Sequence, residues 1–260
     1  MSRIGVAGLS PFSRRSFLRS GAFLSAVIGS SVVGLVVLTG FIGLGRRPER
    51  DGQASSGEVV VLPPPRLDGP LSVEEAIHRR RSRRDYRPDP LSLGHVSQLL
   101  WAAQGVTAPH LWTGLRTAPS AGGLYPLETY IVVRENGVVD LDAGAYRYNP
   151  HRHGLTPIAK GDFSRPLMSA CVDQEWVGTA ALNIVFTAVV ERTSVKYGGR
   201  SLQYIFQESG HAAQNVYLQA EALGLGCVVI GAFYEDEVRS ILRIQDDELP
   251  VYVMPVGRPV

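Results

Sequence analysis

The stretch Arg116-Thr-Ala-Pro-Ser-Ala-Gly-Gly-Leu-Tyr-Pro126 decides how the rest of the chain is read. Its small residues and paired glycines let backbone amides come close to a planar ligand, which bulkier side chains would hold off. Taken alone it is equally compatible with an ordinary loop. A second stretch upstream gives it a partner. Arg79-Arg-Arg-Ser-Arg-Arg-Asp-Tyr86 places Arg80, Ser82 and Arg84 at alternate positions, which share one face on extended backbone. Two guanidinium forks and a hydroxyl suit a phosphate monoester, although the run by itself also reads as a solvated basic patch.

Around these stretches the chain punctuates into short elements. Ser72-Val-Glu-Glu75 predicts a capping box opening a helix to about Arg80, with Val73, Ala76 and Ile77 inward. Apolar residues at 93, 96, 99, 100 and 103 predict a helix closed by Gly105. Tyr130 to Val133 reads as a strand, with Glu135-Asn-Gly-Val138 as a hairpin turn leading towards Ala145 to Tyr148. Asn183 to Val190 is a buried strand and Ser201 to Leu223 a long helix stopped by Gly224. Its apolar stripe runs through 202, 205, 206, 213, 216, 217, 220 and 223, and His211 and Gln214 read as buried polar residues at a helix or subunit interface. Cys227 to Ile230 and Tyr252 to Val256 are strands, and Glu235 to Leu242 is a helix. This mixture without strict alternation predicts an α+β fold, an antiparallel or mixed sheet packed by helices.

Composition narrows the function classes. The first fifty residues hold seven arginines and one acid, Glu49, leaving nineteen basic and twenty-three acidic residues in the remainder. A mildly acidic body argues against a nucleic-acid surface. Cys171 and Cys227 have no metal-site spacing, so no metal is expected. Neither GxGxxG nor a P-loop occurs, and no nucleophile elbow surrounds Ser120 to make a hydrolase of it with His211. Ser13-Arg-Arg-Ser-Phe-Leu-Arg19 reads as a twin-arginine export motif, followed by an uncharged apolar stretch from Gly21 to Gly45 that is long enough to span a bilayer. No Ala-x-Ala cleavage site follows, so the segment is expected to stay as an anchor and the body to face outside the cytoplasm. The expected organisation is residues 1–45 as signal and membrane segment, 46–65 as linker, and 66–260 as the globular domain.

Six islands in order carry a resemblance over roughly residues 66–260. They are Arg80 to Tyr86, Ala118 to Pro126, Lys196-Tyr-Gly-Gly-Arg200, Glu208-Ser-Gly-His-Ala-Ala-Gln-Asn215, Leu223-Gly-Leu-Gly226 and Pro255-Val-Gly-Arg-Pro259. Together they resemble the nitroreductase-like flavoproteins, and within them the SagB/ThcOx-type dehydrogenases, which oxidise azolines in peptides. The resemblance implies an FMN-binding α+β fold and a homodimer with flavin at the subunit interface. It also implies ping-pong hydride transfer through flavin N5, with NAD(P)H or a quinol as donor. Arg80, Ser82 and Arg84 would hold the phosphate and ribityl chain, with Arg81 and Arg83 in the same run and Arg258 as a further phosphate ligand. Pro119, Ser120, Ala121 and Gly122 would line the isoalloxazine.

Lys196-Tyr197 matches the pair that this branch uses in azoline dehydrogenation, where a proton must leave alongside the hydride, and either side chain can serve as general acid or base. The same two residues would also suit a strand-to-helix turn with exposed polar side chains. Ser201-Leu-Gln-Tyr204 departs from the branch's further Arg and Tyr, which leaves both a peptide and a small molecule open as substrate. A non-catalytic flavin- or ligand-binding protein is the alternative on the same fold.

Overall fold

The computed structural model describes residues 58–111 and 114–260; the twin-arginine motif, the apolar segment and most of the expected linker lie outside the described residues. In chain order the elements are β1 (Val60–Val61), α1 (Val73–Arg79), β2 (Tyr86–Arg87), α2 (Leu93–Gln104), β3 (Val106–Ala108), β4 (Leu115–Arg116), β5 (Leu127–Val133), β6 (Gly144–Asn149) and β7 (Gly154–Lys160). There follow α3 (Ser164–Ala170), α4 (Glu175–Thr179), β8 (Leu182–Val189), α5 (Val190–Tyr197), α6 (Ser201–Ala222), β9 (Gly226–Cys227), α7 (Glu235–Leu242) and β10 (Glu248–Pro259).

The main sheet runs β1-β7-β6-β5-β8-β10-β2, with β9 also on β10, and every strand pair in it is antiparallel. Alternation along β5 and β8 sends side chains to two cores. Leu127, Ile131, Ile184 and Phe186 meet the α2 and α6 side, while Tyr130, Val132 and Val185 meet residues of α3, α4 and α7. Burial on both faces explains why β5 and β8 read as near-continuous apolar runs.

Several expectations are amended. β1 pairs with β7, Leu62 is buried, and Gln98 bonds both the N–H and the carbonyl of Arg66, so the packed chain begins before the boundary expected at Arg66. Ser72 caps α1 by accepting the Glu75 N–H at 3.1 Å, but Glu75 turns its carboxylate to Arg79. Only Ala76 of α1 is buried; Val73 and Ile77 point outward, because the seven-residue helix touches α6 along one edge. His211 and Gln214 are exposed, as are Leu202 and Phe206 of the expected inner stripe. Among the described residues no helix is long and apolar enough to cross a membrane.

Candidate functional site

The expected residues gather at two stations along α6. At the first, chain leaving α1 runs extended beside β9, with the Arg83 N–H donating to the Cys227 carbonyl at 3.0 Å. Ser82 Oγ stands 3.2 Å from the Tyr217 hydroxyl of α6, whose oxygen accepts the Val229 N–H at 2.8 Å. The Arg80 guanidinium lies 5.2 Å from the centre of the same ring. Arg80 and Ser82 therefore meet, as their alternation predicts.

The rest of the run diverges. Arg84 stacks at 5.4 Å on Trp176 of α4 and leaves the shared face. Arg83 pairs with Glu221 at 3.3 Å, and Arg81 donates to the His78 and Arg80 carbonyls, so both already have partners within the chain. Arg258 sits opposite Arg87 in the β10–β2 register. Burial, followed by the charges of Arg258 and Arg66, holds the His95 imidazole at the start of α2 below its ordinary range.

The second station is the loop after β4. Ala121 to Gly123 form one 3-10 turn, entered from Pro119 and Ser120, in which Gly122 takes φ +64°. A Cβ there would stand 2.7 Å from Lys196 Nζ and 2.9 Å from the Tyr197 hydroxyl, so only glycine allows both heads to rest against this backbone. Lys196 and Tyr197 occupy the last turn of α5, not the irregular connection expected from the sequence. The polar strip Glu191 to Ser194 directly after a buried strand conceals this helix from a period-based reading. Tyr197 packs edge-on against Tyr204 at 4.7 Å, fixing the ring. Arg192, one turn before Lys196, donates to the Tyr125 carbonyl at 3.1 Å and pairs with Glu128, which also binds Arg147 at 3.0 Å. Strand, helix and loop are thereby tied, and the two arginines hold the Glu128 carboxyl below its ordinary range against the opposing effect of burial.

Beneath the loop lies a polar floor that sequence reasoning missed. Ser120 Oγ accepts the Tyr125 N–H at 2.9 Å. Glu208 of α6 is 3% exposed, and burial raises its carboxyl to about 7 against the lowering influence of Ser120 and Arg116. Arg116 lies 4.6 Å over the Tyr125 ring and donates to Gln104 at 2.9 Å, while burial lowers its pKa. Among the described residues Gln104 Nε2, Arg116 Nε and Glu208 Oε1 find no hydrogen-bond partner. The available signal was helical spacing, since Glu208 falls on the buried stripe of Ile205, Ala212 and Val216.

A cationic station and a glycine cradle with unspent hydrogen-bonding groups beneath it are the parts an FMN site needs, phosphate at one and ring at the other. Their α6 landmarks, Tyr217 and Glu208, are nine residues apart, or about 13 Å at 1.5 Å per residue. Two open hollows of about 420 and 410 Å³ lie elsewhere, at α7 and between Pro64 and His153, and contain none of these groups.

A sequence model described as the nitroreductase family matches residues 77–258. A protein of Methanocaldococcus jannaschii named as a nitroreductase is 43% identical over 190 residues, 73% of this chain and 92% of that one. The microcin B17-processing protein McbC of Escherichia coli is 28% identical over 157 residues, which span 59% of this chain and 57% of its own length. Among solved structures, a nitroreductase-type protein of Ralstonia eutropha superposes with a TM-score of 0.69 at 31% identity, covering 80% of this chain and 92% of the other.

Proposed function

Since this chain belongs to the nitroreductase family of oxidoreductases, with its α+β fold, we propose that it is an FMN-dependent dehydrogenase or reductase of the SagB type, working by alternate reduction and reoxidation. The observation that carries the reading is the meeting of Lys196 and Tyr197 on Gly122, which sets two proton-carrying side chains at the loop that would line the flavin ring. Bound FMN would supply the hydride chemistry at N5; the protein supplies position, charge and shelter.

Each residue then has a task. Arg80 and Ser82 would hold the phosphate by charge-assisted and hydroxyl hydrogen bonds beside Tyr217. Arg84 would join them only by leaving Trp176, and Arg258 would add a further cation from β10. Pro119 to Gly122 would support the ring edge. Lys196 or Tyr197 would accept or return the substrate proton that accompanies hydride transfer, with Arg192 holding their helix to the loop. Substrate is a small molecule or a peptide, and the donor is NAD(P)H or a quinol.

We further infer a homodimer, because the outer face of α6 carries exposed Leu202 and Phe206 together with Val195 of α5. A second copy against that face would cover these side chains. Export by the twin-arginine route, with residues 1–45 as signal and uncleaved anchor and the body outside the cytoplasmic membrane, completes the reading. The test is a donor and acceptor screen on the purified full chain: one donor should bleach the flavin band, and a quinone or nitroaromatic should restore it. A bound flavin that no donor reduces would favour a non-catalytic binding protein.

A further inference from the structure

One residue of the glycine loop stands in a backbone conformation that its type resists. Tyr125 takes φ +48°, although aromatic residues rarely do so and the Pro126 that follows pushes its predecessor towards extended backbone. Such strain persists only where the surroundings over-determine it. Here the side chain is buried and every polar group of the residue is engaged. The Ser120 hydroxyl oxygen accepts its N–H at 2.9 Å, Arg192 donates to its carbonyl at 3.1 Å, and its own hydroxyl accepts the Arg116 N–H at 3.1 Å. The Arg116 guanidinium covers the ring, 4.6 Å from its centre.

The bonds run two ways. Arg116 leads into the loop from β4 and Tyr125 leaves it for β5, nine positions later, so the hydroxyl closes the loop across its two ends. The carbonyl reaches α5 instead. Arg192 grips it from the first turn of that helix, while Glu128, itself paired with Arg147 at 3.0 Å, fixes the guanidinium. The next residue repeats the link, since the Pro126 carbonyl accepts the Val189 N–H at 2.9 Å where β8 passes into α5. Lys196 lies one turn beyond Arg192, and Lys196 Nζ and the Tyr197 hydroxyl fill the space at Gly122. The loop and the helix that bears the acid-base pair are thus registered on each other at Tyr125.

We propose that Tyr125 is a positioning residue: its left-handed turn, stapled across the loop and gripped by Arg192, sets where Lys196 and Tyr197 stand and so governs the proton transfer that accompanies reoxidation by the second substrate. The inference rests on the reading of that pair as proton carriers. A quinone acceptor takes up the hydride that reoxidises the flavin and, at the oxygen left negative, one proton from the pair, giving the hydroquinone.

The test is a mutant cycle on the full, flavin-loaded chain, photoreduced without air and mixed with p-benzoquinone in a stopped-flow instrument. Following the flavin absorbance counts only loaded molecules. Tyr125→Gly suits the positive φ and removes the staple; it should slow reoxidation by about 10²-fold, the cost of misplacing a reacting group by about 1 Å. The solvent deuterium isotope effect on that rate should rise, because proton delivery has become the slow event, which a merely loosened loop would not bring about. Added to Lys196→Ala with Tyr197→Phe, the same change should cost nothing further, since the groups act as one unit. Tyr125→Phe keeps ring and backbone, loses only the hydroxyl bond to Arg116, and should slow reoxidation by a factor of about 2 to 12. Should Tyr125→Gly fail to fold by circular dichroism, the Tyr125→Phe cycle decides alone. A slowing that adds in full to that of the pair, or no slowing in the folded variants, would overturn the proposal and leave the pair's role standing. A Lys196→Ala, Tyr197→Phe chain that reoxidises at the wild-type rate would instead remove the proton-carrier reading, and the proposal with it.

Discussion

Lys196 and Tyr197 lean on a glycine whose φ of +64° and missing side chain make room for them. If they move protons and do not hold the cofactor, binding and turnover separate on mutation. Lys196→Ala with Tyr197→Phe should leave FMN bound and reducible, while reaction with the second substrate slows by about 10² to 10⁴, the usual size of general acid-base contributions. Stopped-flow measurement of the two half-reactions reads this directly, and loss of FMN would reassign the pair to structure. At this scale the sequence spoke unevenly. Arg80 and Ser82 were legible because alternation on extended backbone needs no tertiary knowledge. Arg84 was not, because its direction is set by Trp176, far away in the chain. Glu208 stood in plain view on a helical stripe, but its weight comes from burial against Ser120 and Arg116, which no local pattern encodes.

Among the elements, α6 organises the site and also bears its most consequential exposed surface. The part of its apolar stripe that meets α2 and the sheet is buried at Ile205, Ala212 and Val216, whereas Leu202 and Phe206 are 45% and 50% exposed. Stripe periodicity tells that a face is apolar and cannot tell whether the same chain or a second copy covers it. Phe206→Glu puts a charge in the middle of that face. Sedimentation or light scattering should show a dimer for wild type and monomer for the variant, with weaker FMN retention; a variant that remains dimeric would move the interface elsewhere. The helix α5 was hidden because its eight residues, mostly polar, follow a strand without a break. By contrast α7, bounded by acidic residues at one end and left-handed Arg243 at the other, was legible over its full length.

For the whole molecule, the sequence contrasts a tail with seven arginines with an acidic body, as the proposed export segment and globular domain would require. Twin-arginine transport carries folded proteins, which would suit the proposed domain if it takes up its cofactor in the cytoplasm. Replacing Arg14 and Arg15 with lysine should hold the flavin-loaded protein in the cytoplasm, as cell fractionation would show, and unchanged export would make the motif accidental. A sheet packed by helices was readable in outline from patterning, caps and turns, but not that its strand pairs are all antiparallel or that helices pack on both of its faces. The contacts that build the first station were not readable, because they depend on packing between residues more than a hundred positions apart, as when Ser82 meets Tyr217. The central claim is that this fold holds FMN, and the cofactor itself tests it most directly. The full chain, purified and then denatured, should give a flavin absorption spectrum and release FMN, not FAD, on chromatography; a colourless protein that takes up no added FMN would contradict the account.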